Sequence, residues 1–250
     1  MLKLLKYDLK RDQFMLLGGA FALILALLAI EFAGRRAGIA IDARAVLSFM
    51  VYAFMGLLIL IAVCNSFRGN IRSAGRRLVP LGSVHHVLSE LLYATLLVLS
   101  LMAIAGLHFV YYDASGILRS LEQSGSITVS GAAFVPLAIP FNMLWSTLFL
   151  TTLLLGVTAF TESLNIKGKS LIALILIVVV LSVIAGVENS LLGGQNHSMF
   201  RSFYIEDQSN LSFRNESVGI HAWSFGFELF IAAFCIWITT RLIDRKVTIT

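Results

Sequence analysis

Charged residues are scarce in this chain, and their scarcity decides the class of protein to which it belongs. They make up 13% of the 250 residues, whereas hydrophobic residues make up 58% and the mean hydropathy is +0.88. A soluble domain needs roughly a quarter charged residues to cover its surface, so this composition belongs in lipid. A separate soluble domain is also excluded, because apolar segments take up nearly all of the length.

Cysteines and catalytic signatures are equally few. Cys64 and Cys235 both stand in apolar stretches, where we expect small packing residues rather than a disulfide or a metal site. The chain has no His-Glu-x-x-His, no Gly-x-Ser-x-Gly and no cysteine cluster. Gly168-Lys169-Ser170 imitates the end of a phosphate-binding loop, but Ser163 replaces the first glycine of that loop. The sequence therefore predicts no enzyme and no cofactor in this chain.

Six apolar stretches are each long enough for a spanning α-helix, which needs about 20 residues. Because backbone groups must be paired in hydrocarbon and no strand-like alternation occurs, we predict helices rather than barrel strands. The spans are predicted at about 14–33, 45–64, 88–111, 133–160, 170–190 and 222–240. Pro136 and Pro140 predict a kinked or interfacial start to the fourth span. The first lacks an Ala-x-Ala cleavage site, so we expect a permanent span. The prediction is an all-α polytopic membrane protein whose single transmembrane domain covers 1–250.

The positive residues predict the orientation of the spans. If the N-terminus is cytoplasmic, the outer segments contain six of the 19 basic residues, which are Arg35, Arg36, Arg44, Arg119, Arg201 and Arg214. All other arginines and every lysine then lie on the inner side, as the positive-inside rule requires. The net charge of +5 is thus explained by topology and anionic headgroups, without nucleic acid. Both termini are predicted to be cytoplasmic.

The first residues have an amphipathic pattern. Leucines at 2, 5 and 9 tend toward one side, while the basic residues Lys3, Lys6, Lys10 and Arg11 crowd the other. This pattern favours an elbow helix at about 1–13 that lies in the cytoplasmic interface before the first span. The alternative is a basic flank that only fixes the topology.

The inner loop between the second and third spans has an ordered layout. Arg68, Arg72 and Arg76 are spaced four apart, which places them on one helical face. Arg77 follows, and Leu78-Val79-Pro80 ends the helix before another begins near Ser83. Such a short exposed helix is suited to docking a soluble partner. The alternative is a solvated basic loop that holds anionic lipid.

The long outer segment 187–221 mixes charge with aromatic residues, which a solvated linker would not need. We therefore expect short helices on the outer surface before the last span. Polar residues within the spans are few: Glu90, His108, Asn142 and Glu228. Ion-coupled carriers place several ionisable groups near the midplane, so energy for transport is expected from a partner.

The basic start, the six spans and the loop Arg-Arg-Leu-Val-Pro-Leu-Gly-Ser resemble the ABC-2 type permease family, the membrane subunits of ABC exporters. Leu78, Pro80 and Ser83 stand at the matching loop positions, although Arg68 and Asn70 occupy a region where the family often has Glu, and Glu90 one where it often has Lys. The resemblance implies a bacterial plasma-membrane permease. It also implies a separate ATP-binding subunit that binds ATP and Mg, and a second permease, either a copy or a paralogue. The loop would be the coupling helix, with an ATPase interface at Arg68, Arg72, Arg76, Arg77, Leu78 and Pro80.

An almost chargeless pathway suits a hydrophobic or amphipathic cargo that enters from the membrane, such as an antimicrobial or toxin-like peptide or a drug. Candidate pathway residues are Phe141, Asn142, Trp145 and Phe149 on the fourth span, and Phe225 and Glu228 on the sixth. The alternative for each is a side chain that faces lipid or packs between helices. Two other functions remain open: an ATP-independent channel or secondary carrier, and a non-transporting membrane scaffold or sensor.

Overall fold

The structure, a computed structural model, folds most of the chain into long α-helices. Its described residues are 2–72, 82–123, 127–130, 135–164, 169–191, 204–206, 210–214 and 218–245. The elements in chain order are α1 (Leu2–Arg36), α2 (Ile41–Arg72), α3 (Ser83–Ala114), α4 (Ile117–Gln123), β1 (Ile127–Ser130), α5 (Val135–Ser163), α6 (Lys169–Leu191), β2 (Tyr204–Glu206), β3 (Asn210–Arg214) and α7 (Val218–Arg245).

Within these ranges, six helices are long and apolar enough to cross a membrane. The parts that qualify are Leu4–Arg36, Ile41–Arg72, Ser83–Ala114, Met143–Ser163, Lys169–Ser190 and Phe225–Asp244. Each predicted span falls on a separate helix, so the prediction of an all-α membrane fold with six spanning helices is confirmed. In α5 the spanning part begins only after Pro140, although the helix itself begins at Val135.

Side-chain contacts define the two ends of the helix bundle. At one end, the start of α1 meets the end of α2, where Arg11 donates a hydrogen bond to Ser66 at 2.7 Å. The start of α3 and the end of α7 lie at this same end, where Ser83 donates to Asp244. We call it the terminal end, and the opposite one, where α1 turns into α2, the distal end. Gly38 lies in that turn with a φ of 70°, a backbone conformation that favours glycine.

The N-terminal segment is not a separate elbow helix. Residues 2–13 continue without interruption into the first span, as one helix of 35 residues. At 1.5 Å per residue this helix is about 52 Å long, well beyond the roughly 30 Å of bilayer hydrocarbon. Leu4, Leu5 and Asp8 are buried by packing within the chain. Those internal contacts explain why the amphipathic pattern produced an extension of the span instead of a surface helix.

The buried core lies toward the terminal end. Its members come from α1, α2, α3 and α5, and include Val63, Phe67, Val87, Tyr93 and Leu155. In contrast, the spanning part of α6 has Glu188 as its single buried residue, so this helix lies at the periphery of the bundle. Large apolar side chains remain exposed along α1, α2 and α6, as expected for surfaces that face lipid tails.

Outside the spanning helices, the described residues include a small sheet beside the short helix α4. Its strand order is β1-β3-β2, with β1 parallel and β2 antiparallel to β3. The prediction of short outer helices in 187–221 is therefore wrong for residues 204–206 and 210–214, which are strands. Their backbone groups form hydrogen bonds with each other and with residues 127–130 instead of within a helix. The predicted coupling helix begins at Arg68, and the structure describes it only as far as Arg72, where it is part of α2 instead of a separate helix. Residues 73–81 lie outside the described residues, and the next helix begins at Ser83, as expected.

Candidate functional site

Buried polar side chains are concentrated near the two ends of the bundle. The first group, at the terminal end, is the Arg11 cluster, which comprises Asp8, Arg11, Asp12, Ser66, Asn70, Glu90 and Tyr93. The second, at the same end, is the Glu162 cluster of Arg68, Arg72, Glu162 and Lys169. The third, at the distal end, is the Glu31 cluster of Glu31, Arg44, Ser48 and Tyr112.

The Arg11 cluster joins α1, α2 and α3. The guanidinium of Arg11 donates to Asn70 at 3.1 Å and to Ser66 at 2.7 Å, and both of these side chains also donate to Glu90. Tyr93, which is fully buried, donates to Asp12 at 2.9 Å. Charge-assisted bonds of this kind are strong where water is excluded. They hold the extension of α1 against the ends of the next two helices.

The Glu162 cluster joins α2, α5 and α6. Glu162 accepts hydrogen bonds from Arg68 with one carboxylate oxygen and from Arg72 with the other, the latter at 2.7 Å. Lys169 adds a contact of 3.6 Å between its ammonium and that second oxygen. The carboxylate side chain is only 3% exposed. Arg68 and Arg72, which were predicted to dock an ATPase, therefore pair within the chain.

The Glu31 cluster closes the distal end of α1, α2 and α3. Arg44 donates to Glu31 at 2.9 Å, and Tyr112 donates to the other oxygen of that carboxylate at 2.7 Å. Nearby, Tyr52 and His108 are in hydrogen-bond contact at 3.2 Å. Of these side chains, only the neighbouring His108 is named from the sequence as a polar residue within a span. From the sequence, Arg44 is expected in an outer loop, whereas α2 begins before its apolar run and includes Arg44.

The two ends are separated by a slab without charge. On α2, Ser48 of the distal group and Asn70 of the terminal group are 22 residues apart, or about 33 Å along the helix. That distance matches the roughly 30 Å thickness of bilayer hydrocarbon. Charged residues are absent from 13–30, 45–67, 91–107, 135–161, 170–187 and 229–240. The shortest of these stretches lies on α7, so Glu228 is the acid that enters the slab most deeply.

The predicted pathway residues converge on Glu228. Trp145 on α5 donates its indole N–H to the Glu228 carboxylate at 2.5 Å. Phe225, one turn before Glu228, packs on Trp145 with ring centroids 4.5 Å apart and on Phe141 with centroids 6.2 Å apart. Glu228 is fully buried, and its other carboxylate oxygen has no hydrogen-bond partner. The structure thus brings four of the six predicted residues together.

Trp145 also borders an apolar cavity of about 440 Å³ between α3, α5 and α7. Phe149, a fifth predicted residue, lines this cavity and is only 2% exposed. The side chain of Asn142 lies outside the described residues. The hydroxyls of Thr147, Thr151 and Thr152 donate to backbone carbonyls four residues earlier, so their hydrogens are already used within α5. The cavity can therefore accommodate apolar groups, with a single aromatic and acidic pair at its distal side.

The other predicted interface residues, Arg76, Arg77, Leu78 and Pro80, lie outside the described residues.

The fold and the two polar ends define a polytopic α-helical membrane protein. No family model, curated protein or solved structure matches the chain.

Proposed function

We propose that the chain is the transmembrane permease subunit of an ATP-driven ABC exporter. It moves a hydrophobic or amphipathic cargo outward when it is coupled to a separate ATPase subunit, and an antimicrobial or toxin-like peptide or a drug is the cargo class that suits it best. The terminal end faces the cytoplasm of a bacterial cell in this proposal, because most basic residues lie there. ATP and Mg bind to the partner and not to this chain.

One observation carries the proposal: the slab between the two polar ends contains no charged residue except near Glu228. Coupling to protons or cations requires ionisable ligands near the midplane, and the buried carboxylates of Glu228 and Glu188, toward the distal side, are a poor substitute for such a set. An apolar route with one polar point is suited to amphipathic cargo. Since such a route lacks the set of ionisable groups that ion coupling uses, the energy in this proposal comes from outside the membrane domain.

The coupling element is the inner loop that begins after Arg72. Because Arg68 and Arg72 pair with Glu162, they hold the end of α2 to α5 and α6, and the ATPase contact belongs to Arg76, Arg77, Leu78 and Pro80. Movement imposed on this loop would pass directly to α2 and α3, whose ends flank it. The Arg11 cluster would carry the same movement to α1. A second permease, either a copy or a paralogue, completes the pathway.

The decisive experiment is co-purification with an ATP-binding-cassette subunit encoded beside this chain. We expect the double change Arg76→Glu and Arg77→Glu to abolish co-purification while the variant still inserts and folds. The double change Arg36→Glu and Arg119→Glu is the matched control, since both residues are exposed and lie away from the loop. Unchanged co-purification of the loop variant would refute the coupling assignment.

Transport in proteoliposomes separates the proposal from its rivals. An exporter subunit moves cargo only with the ATPase and ATP present. Flux without them would establish an autonomous channel or secondary carrier, for which the incompletely bonded carboxylate of Glu228 is the best coupling group. Absence of flux in either condition, with an ATPase bound, would favour a scaffold or sensor.

A further inference from the structure

A second cavity, of about 460 Å³, lies between α2, α5 and α6 and is separate from the one beside Trp145. Its walls are mainly leucine, isoleucine, valine and alanine side chains from the three helices. Leu57, Ile61 and Leu174 on its rim are 53%, 47% and 66% exposed, so the cavity is a groove that opens sideways toward lipid. We call it the α2–α5–α6 groove.

The groove has the depth of one membrane leaflet. It runs from Arg68 to Leu57 on α2, from Glu162 to Leu150 on α5 and from Lys169 to Ile177 on α6. These separations correspond to about 12 to 18 Å of helix, which is close to half of the roughly 30 Å of bilayer hydrocarbon. A ligand that spans the membrane is too long for such a groove, whereas an acyl chain from a single leaflet fits its length.

The polar residues of the groove lie at its terminal end. Arg68, Glu162 and Lys169 line the cavity there, and Arg72 binds the same carboxylate. Among the described residues of this cluster, three cations therefore share one acid, which leaves an excess of positive charge at the mouth of an apolar groove. Arginine and lysine bind phosphate oxygens well, and basic pockets between spanning helices are typical sites for anionic headgroups.

We propose that the α2–α5–α6 groove binds an anionic phospholipid, with its phosphate at Arg68, Arg72 and Lys169 and one acyl chain along the apolar walls. The lipid supplies the negative charge that Glu162 alone does not provide. It also covers the exposed side of the cluster, where the Arg72 side chain is 44% exposed and that of Lys169 is 24% exposed. The site rests on described residues alone and does not require an ATPase partner.

The headgroup assignment is tested with Lys169→Gln, because Arg68 and Arg72 remain to neutralise Glu162 in that variant. The full chain is purified in a zwitterionic detergent and exposed to equal amounts of phosphatidylglycerol and phosphatidylcholine with identical acyl chains. Retained lipids are then counted by native mass spectrometry. We expect preferential retention of phosphatidylglycerol, which K169Q lowers about fivefold, the factor expected for one basic residue near an anionic headgroup.

Lys10→Gln is the matched control, since Lys10 is exposed at the terminal end and does not line the groove. K10Q should retain phosphatidylglycerol as the wild type does. Equal retention of the two lipids by the wild type, or equal losses in K169Q and K10Q, would overturn the proposal, because non-specific surface charge would then account for the binding.

The acyl chain is tested separately with Ala173→Phe, which fills the groove, and with Ala185→Phe, a control at an exposed position on the same helix. A173F should reduce retention of phosphatidylglycerol, whereas A185F should not. Thermal unfolding with inorganic phosphate distinguishes a lipid site from a site for the free anion. Stabilisation by phosphate equal to that by the lipid, or full retention in A173F, would refute the role of the groove.

Discussion

Glu31 and Arg44 form a buried ion pair of 2.9 Å that ties α1 to α2 at the distal end. Each side chain is only 7% exposed, and the second carboxylate oxygen accepts a hydrogen bond from Tyr112 on α3. Three helices thus meet on one carboxylate. Loss of one partner from such a pair leaves the other charge buried without compensation. The free-energy cost of that loss is much larger than the net stabilisation that the intact pair provides.

Glu31→Gln should therefore destabilise the chain by about 3 kcal/mol, the lower end of the range for breaking a buried pair. The double change Glu31→Gln and Arg44→Met removes both charges and should recover part of the loss. Unfolding in mixed micelles with increasing denaturing detergent measures the difference. A double variant less stable than E31Q would contradict the charge explanation.

Gly34 tests how closely α1 and α2 approach beside this pair. A Cβ built on Gly34 would lie 2.6 Å from Cδ of Arg44, which is too close unless the arginine moves. We expect Gly34→Ala to cost about 2 kcal/mol, as overpacking of a filled site usually does. Gly18→Ala, on the same helix with no atom within 4 Å, should be neutral or slightly stabilising because alanine favours helix. Similar losses in the two variants would show that the approach to Arg44 is not the cause.

Trp145 and Glu228 allow a prediction about the polar point in the slab. Trp145→Phe removes the donor and leaves the buried carboxylate unbonded, which should cost about 1–3 kcal/mol. Glu228→Gln keeps an acceptor for the indole and removes the charge, so this variant should be at least as stable as the wild type. Thermal unfolding of both variants in the same detergent provides the comparison. An E228Q protein less stable than W145F would show that the charge itself is required.

The spans were predictable because the length and apolar composition of each run identify a spanning helix without knowledge of its contacts with other helices. The polar ends were not, since their partners lie far apart in sequence: Arg68 and Glu162 are separated by 94 residues. Local spacing correctly placed Arg68 and Arg72 on one side of a helix, but spacing alone could not reveal a carboxylate opposite them. For the same reason, an amphipathic start was interpreted as a surface helix although Ser66 and Asn70 of α2 bind it.

The residues proposed for the pathway were easier to single out in the sequence than the residues of the polar ends. Trp145 and Glu228 are the exceptional residues in otherwise apolar helices, and an unsatisfied polar side chain in such surroundings must find a partner. In contrast, the strands at 204–206 and 210–214 depend on pairing with 127–130, a distant segment. Aromatic residues favour strands as much as surface helices, so composition could not decide between them.

The last prediction concerns Glu162, whose carboxylate pairs with the same basic residues that are proposed to bind the lipid phosphate. Glu162→Gln should destabilise the chain by about 1 kcal/mol, less than E31Q, because the Arg68 and Arg72 side chains are 32% and 44% exposed and can reach water or headgroups.

The same variant should retain more phosphatidylglycerol than the wild type, since it removes the acid that competes with phosphate for the cations. Glu228→Gln also removes one carboxylate, but it does not line the groove and is not expected to lower stability, so it is the control that should leave lipid retention unchanged. Native mass spectrometry of both variants decides the matter. Reduced retention in E162Q would mean that the carboxylate positions the arginines for the lipid rather than competing with it, and equal gains in both variants would point to net charge alone.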